Sequence, residues 1–362
     1  MKLLMIARST LFTSPGGDTT QIEMTAKYLR VVGVFVDIKL SHENMDYENY
    51  DLLHFFNIIR PDDIWPHLEK TKVPFVISTI FVDYFEYERK NRKGLISLVN
   101  SIFDRDQIEY IKTIARSVKN GDKIKSRHFL TRGQRKSIQA IAEKAAILLP
   151  NSHSEYNRFV SLYGVKQRYQ KVVNAIDPSY FSLDVMPNPT YKDHVLCVGR
   201  IEGRKNQLNL IKALINSEVQ LTIIGKPSPN HIGYYEQCQA MAKTGQNVHF
   251  IQHVDHKDLA ALYKAAKVHV LPSWFETTGL SSLEAGAMGC NVVVTRKGDT
   301  EEYFNGMAYY CEPDDVESIR KAVLQAYSDP VNPRLQDYIL SHYTWRDTAE
   351  QTLQAYQLVL EK

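Results

Sequence analysis

The sequence predicts an α/β protein made of two doubly wound parallel-sheet domains that face each other across a cleft. Three observations predict it. The chain has 362 residues, too many for one ordinary domain and comfortable for two. Short apolar runs alternate with longer amphipathic segments, the pattern of strands joined by crossover helices. That alternation then restarts after a proline-bearing polar stretch, Ser182 to Asp193, which holds Pro187 and Pro189 and reads as the interdomain linker.

In the first half, Leu3–Ala7, Phe35–Leu40, Leu52–Asn57, Val73–Ser78 and Ala146–Leu149 read as strands. A turn at Ser14-Pro15-Gly16-Gly17-Asp18 leads into a helix over 19–32, and 85–144 reads as mostly helical. Ser152 and Glu155 fit a capping box that starts the next helix. In the second half the strands are His194–Gly199, Gln220–Ile224, Val248–Ile251, Val268–Leu271, Val292–Thr295 and Ala308–Tyr310. Thr344 and Asp347 suit a capping box for a last helix, 345–362. The expected domains are 1–181, with the helix 345–362 packing back on it, and 182–344.

Composition narrows the classes. Hydrophobic residues at 44% and charged residues at 23% describe an ordinary globular chain. A net charge of +3 does not call for nucleic acid as a partner. The four cysteines lack the close spacing of a zinc or redox site and read as buried apolar residues in a reducing compartment. The apolar start Met1–Ala7 is too short for a signal peptide, and no run is long enough for a membrane span. A cytoplasmic location is expected, with peripheral contact at the inner membrane face left open.

The strongest chemical signal is Pro272-Ser273-Trp274-Phe275-Glu276-Thr277-Thr278-Gly279-Leu280-Ser281-Ser282-Leu283-Glu284. A strand ends, a loop carries Glu276, Gly279 permits close backbone approach, and a helix begins that carries Glu284. Helix-start N–H groups suit phosphate, and each carboxylate suits a sugar diol. The competing reading, for the motif standing alone, is a loop charge and a surface helix charge. The second signal is Gly199-Arg200-Ile201-Glu202-Gly203-Arg204-Lys205-Asn206. Arg200 and a Lys205 that opens the next helix place cations where the helix dipole disfavours them, which favours an anionic ligand over a solubilising pair. Pro15-Gly16-Gly17 is a weaker glycine signal.

Together these elements resemble glycosyltransferase family 4, retaining enzymes of GT-B fold. Glu276 to Glu284 matches that family's E-x7-E element, and Gly199-Arg200 with Lys205-Asn206-Gln207 matches its G-R…K-N element. Asn151-Ser152, Asn174-Ala175-Ile176-Asp177 and Trp345 resemble further family stretches. The resemblance implies a hexosyltransferase of polysaccharide biosynthesis. It would use a nucleotide-diphosphate sugar and no metal or other cofactor, and act on a glycan or lipid-linked glycan with retention of anomeric configuration. Glu284 would hold the ribose, Glu276 the transferred sugar, and Arg200 and Lys205 the departing diphosphate. Backbone amides at Thr278, Gly279, Leu280 and Gly17 would support sugar or phosphates, and Asn174 and Asp83 would contact acceptor or sugar. The run Ser78 to Tyr84 lacks the histidine many members carry there, with Asp83 as the stand-in, and Ala175 replaces a usual glycine. A nucleotide-sugar 2-epimerase of the same fold and an inactive nucleotide-sugar-binding scaffold are the alternatives.

Other signals point elsewhere. Asp104-Arg105-Asp106 has the D-x-D form of a metal site but lies at an expected helix start, where acids are favoured anyway. His249, His253 and His256 run from a strand into a loop and do not converge on a metal. His54 reads as a satisfied strand-end histidine. The basic stretch 89–136, preceded by Phe81, Tyr84, Phe85 and Tyr87, reads equally as a solvated face or as a surface for an anionic membrane or a lipid-diphosphate-linked acceptor.

Overall fold

The computed structural model describes residues 1–91, 103–120, 124, 126–182 and 184–361. They form two compact units, Met1–Asn174 with Trp345–Lys362, and Ala175–Thr344.

The first unit holds a five-stranded parallel sheet in the order β2-β1-β3-β4-β5. Its strands are β1 (Lys2–Ala7), β2 (Phe35–Leu40), β3 (Leu52–Phe56), β4 (Phe75–Ser78) and β5 (Ile147–Leu149). β1, β3, β4 and β5 are buried almost throughout, as a sheet covered by helices on both faces requires. The helix Trp345–Leu360 packs on the helix Gly17–Val31, with Ala349, Ala355 and Tyr356 in the core beside Leu3 and Ile22. Its Tyr356 hydroxyl lies 2.7 Å from His54 Nδ1, while His54 Nε2 meets Ser78 Oγ at 2.9 Å. Burial holds the His54 pKa down at about 3, so this imidazole is a neutral core group.

The second unit holds a six-stranded parallel sheet in the order β11-β10-β9-β6-β7-β8. Its strands are β6 (Val195–Val198), β7 (Leu221–Ile224), β8 (Val248–Ile251), β9 (Val268–Leu271), β10 (Asn291–Thr295) and β11 (Tyr309–Cys311). The strand order reverses between β6 and β9. In a doubly wound sheet the ligand crevice lies at such a reversal, outside the carboxyl ends of the strands. Residues that leave β6 and β9 are therefore the ones the topology places at a crevice. All four cysteines are free and buried.

The expected division after residue 181 differs from the observed one. Residues 175–193 belong to the second unit. The Phe181 ring packs on Tyr263 at 6.3 Å. The backbone N–H groups of Asn188 and Asp193 donate to Ala261 and Ala265 carbonyls. Pro187 and Pro189 punctuate a turn that is pinned to the helix His256–Ala265, and they do not mark a free linker.

Candidate functional site

In the second unit the chain leaves β6 through Gly199 and Arg200 and makes a short 3-10 turn, Gly203–Lys205, before the helix Gln207–Leu214. Lys205 therefore ends a turn and does not open the helix. The chain leaves β9 through Pro272 to Gly279 into the helix Leu280–Ala287. Backbone and amide bonds stitch these two exits together. The Trp274 N–H donates to the Arg204 carbonyl at 2.9 Å, and Asn206 Nδ2 donates to the Pro272 carbonyl at 3.0 Å. The basic loop and the acidic loop are thus one framework before any ligand arrives.

The side chains on that framework meet. Lys205 Nζ donates to Glu276 Oε1 in a short ion pair, with Glu276 only 7% exposed. Arg200 reaches Glu202 Oε1 at 3.6 Å, and Arg204 donates to both Glu202 oxygens at 3.1 and 3.3 Å. Burial works against the Glu202 charge, yet Arg204, Arg200 and Lys205 together hold its pKa below the usual carboxylate value. Glu202 thus gathers the cations, while the Arg200 side chain stays 44% exposed.

Glu276 is fixed through its backbone as well. Its N–H donates to the Lys297 carbonyl, and its carbonyl accepts from Asp299 N–H at 2.9 Å. This pairing needs Gly298, whose φ is +114° and whose Cβ, if present, would lie 1.9 Å from the Glu276 carbonyl oxygen. Gly225 is held as tightly: a Cβ there would meet the Gly199 carbonyl oxygen at 2.0 Å. Neither glycine was singled out by the sequence pattern, although each directly follows or closely trails a strand end at the crevice. Gly199, Arg200, Gly225, Lys226, His253 and Leu259 line a shallow pocket of about 230 Å³.

The helix Leu280–Ala287 starts from Gly279 in the left-handed region at φ +69°, with no side chain capping it. An uncapped helix start of this kind leaves N–H groups that suit an anion. Thr278 is buried beside it. Glu284 lies in the second turn and meets His256 Nε2 at 2.8 Å. Beneath the helix, His269 is buried with Nε2 3.1 Å from Ser282 Oγ, and burial, with Lys205 adding to it, lowers its pKa to about 3.

The structure thus joins Lys205 to Glu276 and groups Arg200 with Arg204 on Glu202, with Lys205 near enough to act on that carboxylate's charge. It places Thr278, Gly279 and Leu280 at the helix start, and Glu284 on that helix with His256. Gly17, Asp83 and Asn174 belong to the first unit. Gly17 is the first residue of a helix. Asp83 forms an ion pair with Arg105 and accepts from the Phe85 N–H at 3.0 Å, and Asn174 is buried. The Asp104 carboxylate caps the Gln107 N–H at 2.9 Å, and Asp106 binds Arg135 and the Tyr163 hydroxyl, each at 3.0 Å. Asp104 caps as the helix-start reading expects, while the partners of Asp106 are tertiary.

With this geometry in place, comparison with known proteins is informative. Residues 184–341 match the family model described as Glycosyl transferases group 1. That match lies within the second unit. Among curated relatives, the chain is 29% identical over 197 residues to a glycogen synthase of Mycobacterium tuberculosis, covering 51% of this chain and 47% of that one. It is 28% identical over 244 residues to a D-inositol 3-phosphate glycosyltransferase of Pseudarthrobacter chlorophenolicus, covering 61% and 58%. These matches span about half the length of the relatives. Among solved structures, sucrose-phosphate synthase from Thermosynechococcus elongatus superposes with a TM-score of 0.76 at 15% identity, covering 100% of this chain and 99% of that one. HepE from Anabaena, in complex with UDP and glucose, gives 0.68 at 14% identity over 99% of each chain. The fold is GT-B: two parallel-sheet α/β domains. The epimerase alternative gains no support from these relatives.

Proposed function

We propose that the chain is a retaining hexosyltransferase. It takes the sugar from a nucleoside-diphosphate donor and passes it to a glycan or lipid-linked glycan. In the transfer the bond from the sugar C1 to the diphosphate oxygen breaks, and an acceptor hydroxyl oxygen bonds to C1 on the same face. The hydroxyl proton passes to the departing diphosphate. Arg200 and Lys205 neutralise the charge that develops on that diphosphate, a role metal ions fill elsewhere. Glu276 receives hydroxyls of the sugar, Glu284 receives those of the ribose, and the amides of Thr278 to Leu280 meet phosphate or sugar oxygens.

The observation that carries this reading is the Lys205–Glu276 pair, buried at the strand-order reversal beside an uncapped helix start. A pair serving only stability gains nothing from that position, and replacing buried pairs by apolar groups is often neutral or better. A diphosphate sugar uses both partners at once, the anion on the lysine and the hydroxyls on the carboxylate. Gly17, Asp83 and Asn174 remain the proposed contribution of the first unit.

Thermal-shift titration with UDP, GDP, ADP and their sugars tests the donor. One nucleotide series should raise Tm in wild type and fail to do so in Glu284→Ala. Equal shifts in both proteins contradict the ribose role. The acceptor half has its own test. Among the described residues no helix is long and apolar enough to cross a membrane. Part of the basic stretch 89–136 lies outside the described residues, and within them Lys112 pairs with Glu88 and Glu109, and Arg135 with Asp106. Flotation with anionic liposomes should carry the protein upward at low salt, whereas absence of binding at every salt concentration removes peripheral membrane contact from the proposal.

A further inference from the structure

Glu284 is 9% exposed, so its carboxylate orientation depends on the donors the protein itself supplies. One such donor reaches it from another element. His256 opens the helix His256–Ala265, and its Nε2 lies 2.8 Å from Glu284 Oε1. The imidazole is itself held in place. The Tyr180 and Phe181 rings approach it edge-on, with centroids at 5.5 and 5.2 Å and interplanar angles of 70° and 73°. Phe181 in turn packs on Tyr263, two turns further along the same helix. The His256 side chain remains 46% exposed, and the Tyr180 and Phe181 rings are what restrict it.

The chemistry of the carboxylate explains why its orientation matters. A carboxylate presents about four lone-pair directions on its two oxygens. A vicinal diol uses both oxygens at once, in the carboxylate plane, so rotation about the last side-chain bond destroys the match. A hydrogen bond from His256 to Oε1 occupies one direction and stops that rotation; the buried Tyr263 hydroxyl lies close to the same carboxylate, and the remaining directions are left for a diol. The hydrogen bond to Glu284 is also the main cause that raises the His256 pKa, with Asp177 adding to it against the effect of burial. Both charge states of the ring can keep a proton on Nε2, so the donor function survives across neutral pH.

We infer that His256 is the positioning residue of the ribose subsite, donating from Nε2 to Glu284 Oε1 so that both carboxylate oxygens face the 2′,3′-diol of the donor nucleoside. This rests on the ribose role of Glu284 stated above, and it assigns that role a second residue that does not touch the nucleotide.

Calorimetric titration with UDP, GDP and ADP and with their 2′,3′-dideoxy counterparts tests it. For the nucleotide that binds wild type most tightly, His256→Ala should weaken the ribose form about tenfold, the loss of one hydrogen bond to a charged group. The dideoxy form should bind wild type and His256→Ala equally. His256→Gln, whose amide nitrogen can donate to the same oxygen, should recover most of the loss. In turnover assays His256→Ala should raise the donor KM and leave kcat nearly unchanged. An equal penalty on ribose and dideoxy forms, or no penalty, overturns the positioning role. The two failures are distinguishable, because Glu284→Ala is measured on the same pair of ligands. If Glu284→Ala weakens ribose and dideoxy forms alike, the ribose reading itself falls, and the His256 inference with it.

Discussion

Arg8 and Arg200 occupy matching places in the two units, just past the first strand of each sheet, and they do different work. Arg8 spends its donors on its own loop: Nε and Nη2 on Asp18 at 2.5 and 3.0 Å, Nη1 on Thr10, and Nη2 on the Ser14 carbonyl at 2.8 Å. Arg200 has one carboxylate at 3.6 Å, shares it with Arg204, and keeps 44% of its side chain exposed. The same contrast repeats after later strands. Buried Glu155 ties the loop past β4 by accepting from Thr79 Oγ1 and the Phe81 N–H. That loop holds Ile80 at φ +42°, a conformation a β-branched residue adopts only when its neighbours enforce it. An arginine at a strand end is therefore a ligand group only if its donors remain unspent, a distinction that residue type alone does not make.

The largest effect that tests this contrast is on turnover. Arg200→Ala should lower kcat roughly 100- to 1,000-fold by removing charge stabilisation of the leaving group, with little change in unfolding free energy. Arg8→Ala should do the reverse. It strips the loop before Gly17 of its anchor, and urea unfolding should show a loss of about 3 kcal/mol. If Arg8→Ala abolished turnover at unchanged stability, the division of labour between the two arginines would fail. Next in size, Gly298→Ala should destabilise the protein by about 1–3 kcal/mol and reduce activity as well, because its Cβ would collide with the backbone of Glu276.

Smaller effects separate the units by pH. His54, in the first unit, has its pKa lowered to about 3, so the unfolded chain binds its proton more readily than the folded one. Its contribution to stability is complete above its ordinary value of 6.5 and is lost as pH falls toward 3, with a slope of about 1.4 kcal/mol per pH unit in between. His256, in the second unit, is raised by Glu284 and Asp177. Its contribution is complete below 6.5 and fades as pH rises through the raised value. Urea unfolding of wild type, His54→Asn and His256→Gln between pH 5 and 8 should show the acid limb flattened in the first variant and the neutral limb flattened in the second.

Much of this architecture is legible in the residues. β2, β8 and β9 span the runs read from the sequence, and the other strands differ only at their ends, because each is a short apolar run bounded by polar, Gly or Pro residues. Lys205 and Glu276 are legible as candidates because unusual residue types stand at strand ends. Their contact is not, since Asn206 and Trp274 fold the two loops together through long-range bonds. His256 reads as loop in the sequence, whereas it opens a helix, and its role is hidden because its partner is 28 residues away on another helix. The pairing of Asp83 with Arg105 is likewise tertiary. The stretch 182–193 reads as a linker because proline marks turns of every kind, and only packing on the helix His256–Ala265 pins it, with 175–181, to the second unit.

The most direct test compares a nucleoside diphosphate with its parent nucleoside by calorimetric titration, in wild type and in the Arg200→Ala/Lys205→Ala double variant. In wild type the diphosphate should bind at least a hundredfold more tightly than the nucleoside, as two charge-assisted contacts predict. In the double variant that advantage should shrink to a few fold while nucleoside binding is unchanged. An equal diphosphate advantage in both proteins would contradict the assignment of these two cations to the leaving group.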